Sequence, residues 1–119
     1  MTPPPRRGDV FDARLDPIEG SEQAGTRPVI VVSRDSLNDV VSRVIVIPCA
    51  TYRAKRAVYP SQVLIEAPDG GLSVDSIALG DQVRTLSVPR LLRRRGSLSP
   101  TAIGRIDRAL AIALDLPLT

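Results

Sequence analysis

Gly20-Ser21-Glu22-Gln23-Ala24-Gly25-Thr26-Arg27-Pro28 gathers a carboxylate, an amide, a hydroxyl and a guanidinium into one glycine-flanked loop. The loop runs straight into apolar Val29-Ile30-Val31-Val32, a buried-type strand that limits where those groups can point. Pro28 presets its own φ and restricts Arg27 to extended backbone, so the guanidinium is aimed by backbone geometry. A guanidinium can hold two phosphate oxygens at once. The plainer reading of Arg27 is a surface salt bridge to Glu22 or Asp81, and the residues alone leave both open.

Two further stretches carry usable groups. Ala50–Tyr59 places Arg53, Lys55 and Arg56 between Tyr52 and Tyr59, and aromatic faces beside cations suit stacked bases of a single strand. The plain alternative is a solvated loop with its tyrosines packed as anchors, Tyr59-Pro60 in that role and Tyr52 free to stack. Asp81-Gln82-Val83-Arg84-Thr85 follows Gly80, where a bulge can re-aim a side chain. Asp81 reads as a carboxylate re-aimed by that bulge or as a salt-bridge partner of Arg84 or Arg27; Arg84 and Thr85 also read as sheet-edge structure.

Arg7-Gly8-Asp9-Val10, Leu15-Asp16-Pro17, the GSEQAGTRP loop, Ile47-Pro48-Cys49 and Asp81-Gln82-Val83-Arg84-Thr85 occur in this order. Together they resemble the MazF/PemK (Kid-like) toxins of toxin–antitoxin pairs, from about Arg6 to Leu116. The resemblance implies an SH3-like barrel of the CcdB/PemK type, a homodimer, and cleavage of single-stranded RNA. It also implies a cognate antitoxin, MazE-like, whose acidic, partly disordered segment fills the RNA groove. By the same resemblance Arg27 is catalytic and Asp81 a candidate base. The family's threonine slot, in Pro-x-Thr, falls on Ala50 in Pro48-Cys49-Ala50-Thr51, a departure that leaves either Thr51 as its substitute or a weakened nuclease. Ser21, Glu22, Gln23, Tyr52, Arg53, Lys55, Arg56, Gln82 and Arg84 are the candidate RNA contacts beside the catalytic candidates Arg27, Thr51 and Asp81. Two other classes stay open: a CcdB-like toxin that binds gyrase without catalysis, and an RNA-binding homologue that has lost activity.

Composition narrows the chemistry. There is no histidine, so imidazole takes no part in any mechanism, neither in a histidine-pair ribonuclease nor in a Ser-His-Asp hydrolase. Cleavage then runs through attack of the ribose 2′-OH on the adjacent phosphorus, with carboxylate, arginine, hydroxyl and water as the working groups. No cluster has metal-ligand spacing and no Gly-rich loop opens a helix, so neither metal nor nucleotide cofactor is expected. Cys49 is the lone cysteine, which excludes a disulfide scaffold within the chain and agrees with a reducing cytoplasm. The formal charge is +3, and 15 of the 16 basic residues are arginine, the side chain suited to bidentate phosphate recognition; high-GC codon usage accounts for the same bias. No apolar run reaches membrane-spanning length and no signal peptide opens the chain, so no membrane partner is expected.

The elements that must position these groups are short. Strands are expected at Gly8–Leu15, Pro28–Ser33, Val44–Cys49 and Pro60–Ala67, then one strand or two from Asp75 to Leu86, kinked near Gly80. A single helical turn is expected near Ser36, and Arg90–Leu98 mixes a turn with a basic edge strand. One helix is expected at the end. Ser99 caps it, Pro100 opens it, and Ile103, Ile106, Leu110 and Leu114 recur at helical spacing. The whole reads as a mainly β (α+β) small barrel with a C-terminal helix, a disordered tail at 1–5 and a single domain over 6–119.

Overall fold

The computed structural model describes residues 3–15, 25–54 and 56–117. Seven strands form a continuous antiparallel sheet: β1 (Asp9–Arg14), β2 (Thr26–Val31), β3 (Arg43–Thr51), β4 (Gln62–Ile65), β5 (Ser76–Leu79), β6 (Arg84–Ser87) and β7 (Leu91–Ser97). Their order is β4-β5-β3-β2-β1-β7, with β6 also on β3. β3 is the spine: β2 lies along one edge, while β6 takes its first half and β5 its second half on the other. Among the described residues the ladders do not close into a ring, so the molecule is a bent, barrel-like sheet with β4 and β7 as its ends.

β2 over Val29–Val31 and β3 over Val46–Ala50 are buried on both faces, which explains why these runs are apolar without alternation. On β2, Ile30 packs with Ile47, Cys49, Val63 and the helix residues Ala102, Ile106 and Ala109. Its neighbours Val29 and Val31 point the other way, into a cluster with Ala13, Leu15, Val44, Val46 and Leu86. Period-2 alternation therefore divides one strand between two cores. A short helix, α1 (Asp35–Asn38), links β2 to β3; buried Asn38 donates to the Ser33 carbonyl at 3.1 Å and ties that link down.

The long helix α2 (Pro100–Leu114) forms as the sequence dictates. Ser99 Oγ accepts from the Ala102 amide at 3.2 Å, and Pro100 occupies the first turn, where a missing N–H costs nothing. Asp69 holds this start, accepting from the Ser99 amide and hydroxyl, each at 2.8 Å. Arg105 and Arg108 face outward as expected, whereas Leu114, expected inward, is 51% exposed and Ala111 takes the buried position.

β4 is shorter than the expected Pro60–Ala67, and three differences bear on the site. β2 begins at Thr26, so Arg27 belongs to the strand. β3 continues to Thr51, so Ala50 and Thr51 belong to a strand and not to a loop. The Asp75–Leu86 stretch is two strands, joined by a short helical turn at Gly80–Gln82 where a bulge was expected. A side chain at Gly80 would crowd the Ser61 carbonyl, so the turn needs glycine for close backbone approach. At the N-terminus Pro5 is buried, and Pro3 and Pro4 border a cleft of about 450 Å3 with Phe11 and Leu91.

Candidate active site

The loop that carries Ser21, Glu22 and Gln23 lies outside the described residues; Leu15 and Gly25 stand at its two ends. The Leu15 amide donates to the Gly25 carbonyl at 3.0 Å. Arg84 Nη1 donates to the Leu15 carbonyl at 3.4 Å, and Arg90 Nη1 to the Arg14 carbonyl at 3.3 Å. Gly25 turns the chain with φ 71°, a left-handed conformation that favours glycine. Two arginines from β6 and the turn before β7 thus clamp the departure of the chain from β1, and Gly25 delivers it into β2 one residue before Thr26. Arg84, a candidate RNA contact, has this structural role.

Arg27 sits on β2 opposite Ala13 of β1 and is half-buried. The β2–β3 register pairs Val29 with Pro48; continued by two residues, it sets Arg27 across from Ala50. Beside them opens a small cleft of about 40 Å3, bordered by Arg27, Pro28, Ala50, Thr51, Ser73 and Arg95 among others. Ala50 is buried with Ile77 and Leu79 and brings only a methyl group. Thr51 is exposed at the end of β3 and pairs with Ser76 of β5. Adjacent strand residues face opposite ways, which is why Ala50 enters a core and Thr51 reaches solvent. The fold therefore brings Arg27, Ala50 and Thr51 to one cleft.

Asp81 is exposed on the Gly80–Gln82 turn and does not border this cleft; Gln82 beside it is half-buried. The Tyr52–Tyr59 segment reverses the sequence-based assignment of its two rings. Tyr52 packs partly against Ala50, Ile77 and Leu79, while Tyr59 is 61% exposed. Arg53 and Arg56 are exposed, and Lys55 lies outside the described residues. Among the cleft residues, Ser73 and Arg95 had no assigned site role: Ser73 precedes the strands expected from Asp75, and Arg95 falls in the stretch read as a turn with a basic edge strand.

Cys49 borders the cleft from below, and burial pushes its thiol up to about 12 from an ordinary 9.0. It is a neutral, inert wall. Among the described residues no three His, Cys, Asp or Glu side chains are grouped so as to hold a metal ion, and no helix is long and apolar enough to cross a membrane.

Residues 6–114 match the family described as PemK-like, MazF-like toxin of type II toxin–antitoxin system. The chain belongs to that family. It is 40% identical over 116 residues to Endoribonuclease MazF9 of Mycobacterium tuberculosis, covering 93% of this chain and 97% of the relative. Among solved structures, an endoribonuclease in complex with its cognate antitoxin from a mycobacterial species superposes with TM-score 0.79 at 27% identity, covering 97% of this chain and 99% of the other. MazF from Deinococcus radiodurans superposes with TM-score 0.81 at 26% identity, covering 97% of this chain and all (100%) of the other. The barrel-like sheet with a terminal helix is thus the fold of this toxin family.

Proposed function

We propose that this toxin-family chain is an endoribonuclease that cuts single-stranded RNA by 2′-OH attack, with the cleft beside Arg27 as its reacting site. The observation that carries the reading is the shared cleft: Arg27 of β2 and Thr51 of β3 both border one opening, at the end of the loop whose sequence carries the resemblance. Its 40% identity to an endoribonuclease supports the same conclusion.

In the proposed reaction the ribose 2′-oxygen attacks the adjacent phosphorus and the P–O5′ bond breaks. The products are a 2′,3′-cyclic phosphate, or the 3′-phosphate formed from it, and a 5′-hydroxyl. Arg27 holds two phosphate oxygens and offsets the charge that builds on them, and Thr51 donates a hydrogen bond to the same group. A preorganised donor of this kind contributes about 3–4 kcal/mol to the transition state. Asp81 stands outside this cleft, so no carboxylate is assigned as base: water takes the 2′-OH proton and water protonates the 5′-oxygen. The chain acts as a homodimer in the cytoplasm, where messenger RNA is found. An acidic segment of a cognate antitoxin occupies the cleft and neutralises Arg27, in agreement with the antitoxin complex formed by a structural neighbour.

The test is to incubate the purified protein with RNA in chelator and sequence the ends. Cuts at one short sequence, leaving 5′-hydroxyl ends, are expected. Uncut RNA, or a strict Mg²⁺ requirement, contradicts the reading. In the same assay Asp81→Asn is expected to turn over close to wild type; a loss of about 10²–10⁴ in rate would bring Asp81 into the mechanism as base.

A further inference from the structure

Arg93, Arg94 and Arg95 are consecutive on β7, yet they end in different surroundings. The side chains of Arg93 and Arg94 are 69% and 53% exposed, and that of Arg95 only 15%. The cause is a bulge. Val10 pairs with Gly96 and Phe11 with Arg94, so Arg95 is the extra residue on β7. A bulge re-aims its residue, and here the side chain turns inward to border the cleft that holds Arg27 and Thr51. Gly71 protects the arrangement, because any side chain there would collide with the Arg95 carbonyl.

Asp12 anchors the inward arginine. Its Oδ1 lies 3.2 Å from Arg95 Nε, while its Oδ2 lies 3.2 Å from Arg93 Nη2. Asp12 is the β1 partner of Pro28, the neighbour of Arg27. Arg95 Nε is buried and its geometry toward Asp12 makes no hydrogen bond. Asp12 is the only ionic partner of Arg95 among the described residues, and it is shared with Arg93. A buried cation held by one shared carboxylate is poor stabilising design, because desolvation offsets the Coulombic gain. A cation that borders a cleft and is incompletely matched within the fold suits an anion arriving from outside.

We propose that Arg95 is a second phosphate-holding residue of this cleft, contacting the RNA phosphate next to the scissile one held by Arg27. The assignment rests on the endoribonuclease reading. Asp12 fixes the guanidinium from the Nε side, and the Nη groups meet the phosphate. Arg95 thereby sets the register of the strand across the reacting group without entering the chemistry.

The test uses an RNA oligonucleotide copied from a site that the wild-type protein cuts, with deoxyribose at the scissile nucleotide so that it binds without reacting. Arg95→Met is expected to weaken its Kd by about tenfold. The slope of log K against log salt is expected to flatten by about 0.7, the signature of one lost contact to a single-stranded phosphate. On cleavable RNA the loss appears in KM, with kcat close to wild type. Arg95→Lys keeps the charge but not the fork, so it is expected to retain the salt slope while binding several-fold more weakly; it decides the matter should Arg95→Met fail to fold. Wild-type protein that cuts RNA beside an Arg95→Met variant with unchanged Kd and slope, or an Arg95→Lys variant with unchanged Kd, overturns the role of Arg95 alone. Wild-type protein that cuts no RNA overturns both this role and the proposed function.

Discussion

At the scale of single residues, the decisive contrast is between Ala50 and Thr51. The sequence sets Ala50 in the family's threonine slot. The strand then turns Ala50 into a cluster with Ile77 and Leu79 and leaves Thr51 exposed at the cleft. A hydroxyl at position 50 would be buried among aliphatic side chains, which costs about 1–3 kcal/mol when it finds no partner. Thr51→Ala is therefore expected to slow RNA cleavage strongly. Adding Ala50→Thr to it is expected to lower the melting temperature and restore nothing. Recovered turnover in the double variant, measured on the same RNA, would return the role to position 50. The types at these positions were legible in the sequence. Their directions were not, because the end of β3 lies beyond the apolar run that marks it, and a one-residue change reverses the face.

At the scale of elements, α2 was legible almost residue by residue, since its cap, opening proline and apolar spacing are local signals. Its end was not. The helix closes on a Schellman motif: the Leu116 amide donates to the Ala111 carbonyl at 2.8 Å and the Asp115 amide to the Ile112 carbonyl at 3.3 Å. The left-handed position of that motif favours glycine, yet it holds Asp115 at φ 55°, and a carboxylate there also opposes the helix dipole. Pro117 signals that the helix stops before it, but no glycine marks the left-handed position, and Leu114 was expected inward. Asp115→Gly is expected to stabilise the protein by about 1 kcal/mol, seen as a higher melting temperature; an unchanged or lower value contradicts this account of the terminus. The inward Arg95 was hidden for a related reason. A bulge is set by the register of two strands distant in sequence, and no local pattern in Arg93-Arg94-Arg95 marks which arginine turns.

At the scale of the whole molecule, the fold class was legible because β-branched runs, turn residues and one amphipathic helix leave few arrangements. The two-sided core was foreshadowed by the continuous apolar run Val29-Ile30-Val31. The union of Arg27, Thr51 and Arg95 was not, since it depends on pairing between β1, β2, β3, β5 and β7. Cys49 reports on the integrity of that packing. Its thiol is fully buried and pushed up to about 12. An unfolded thiol ionises near its ordinary 9.0 while the folded one stays neutral. The contribution of Cys49 to stability is thus intact below pH 9 and lost as pH rises toward 12. A thiol reagent near neutral pH is expected to leave the native protein unlabelled and to label it fully once denatured; rapid labelling of the native state would show that the cleft floor opens.

The most direct measurement is single-turnover cleavage of RNA by Arg27→Ala beside the wild type, with melting temperatures recorded for both. A loss of about 10²–10³ in rate at an unchanged melting temperature is the expected result. Cleavage close to the wild-type rate by the folded variant would contradict a site built around that guanidinium.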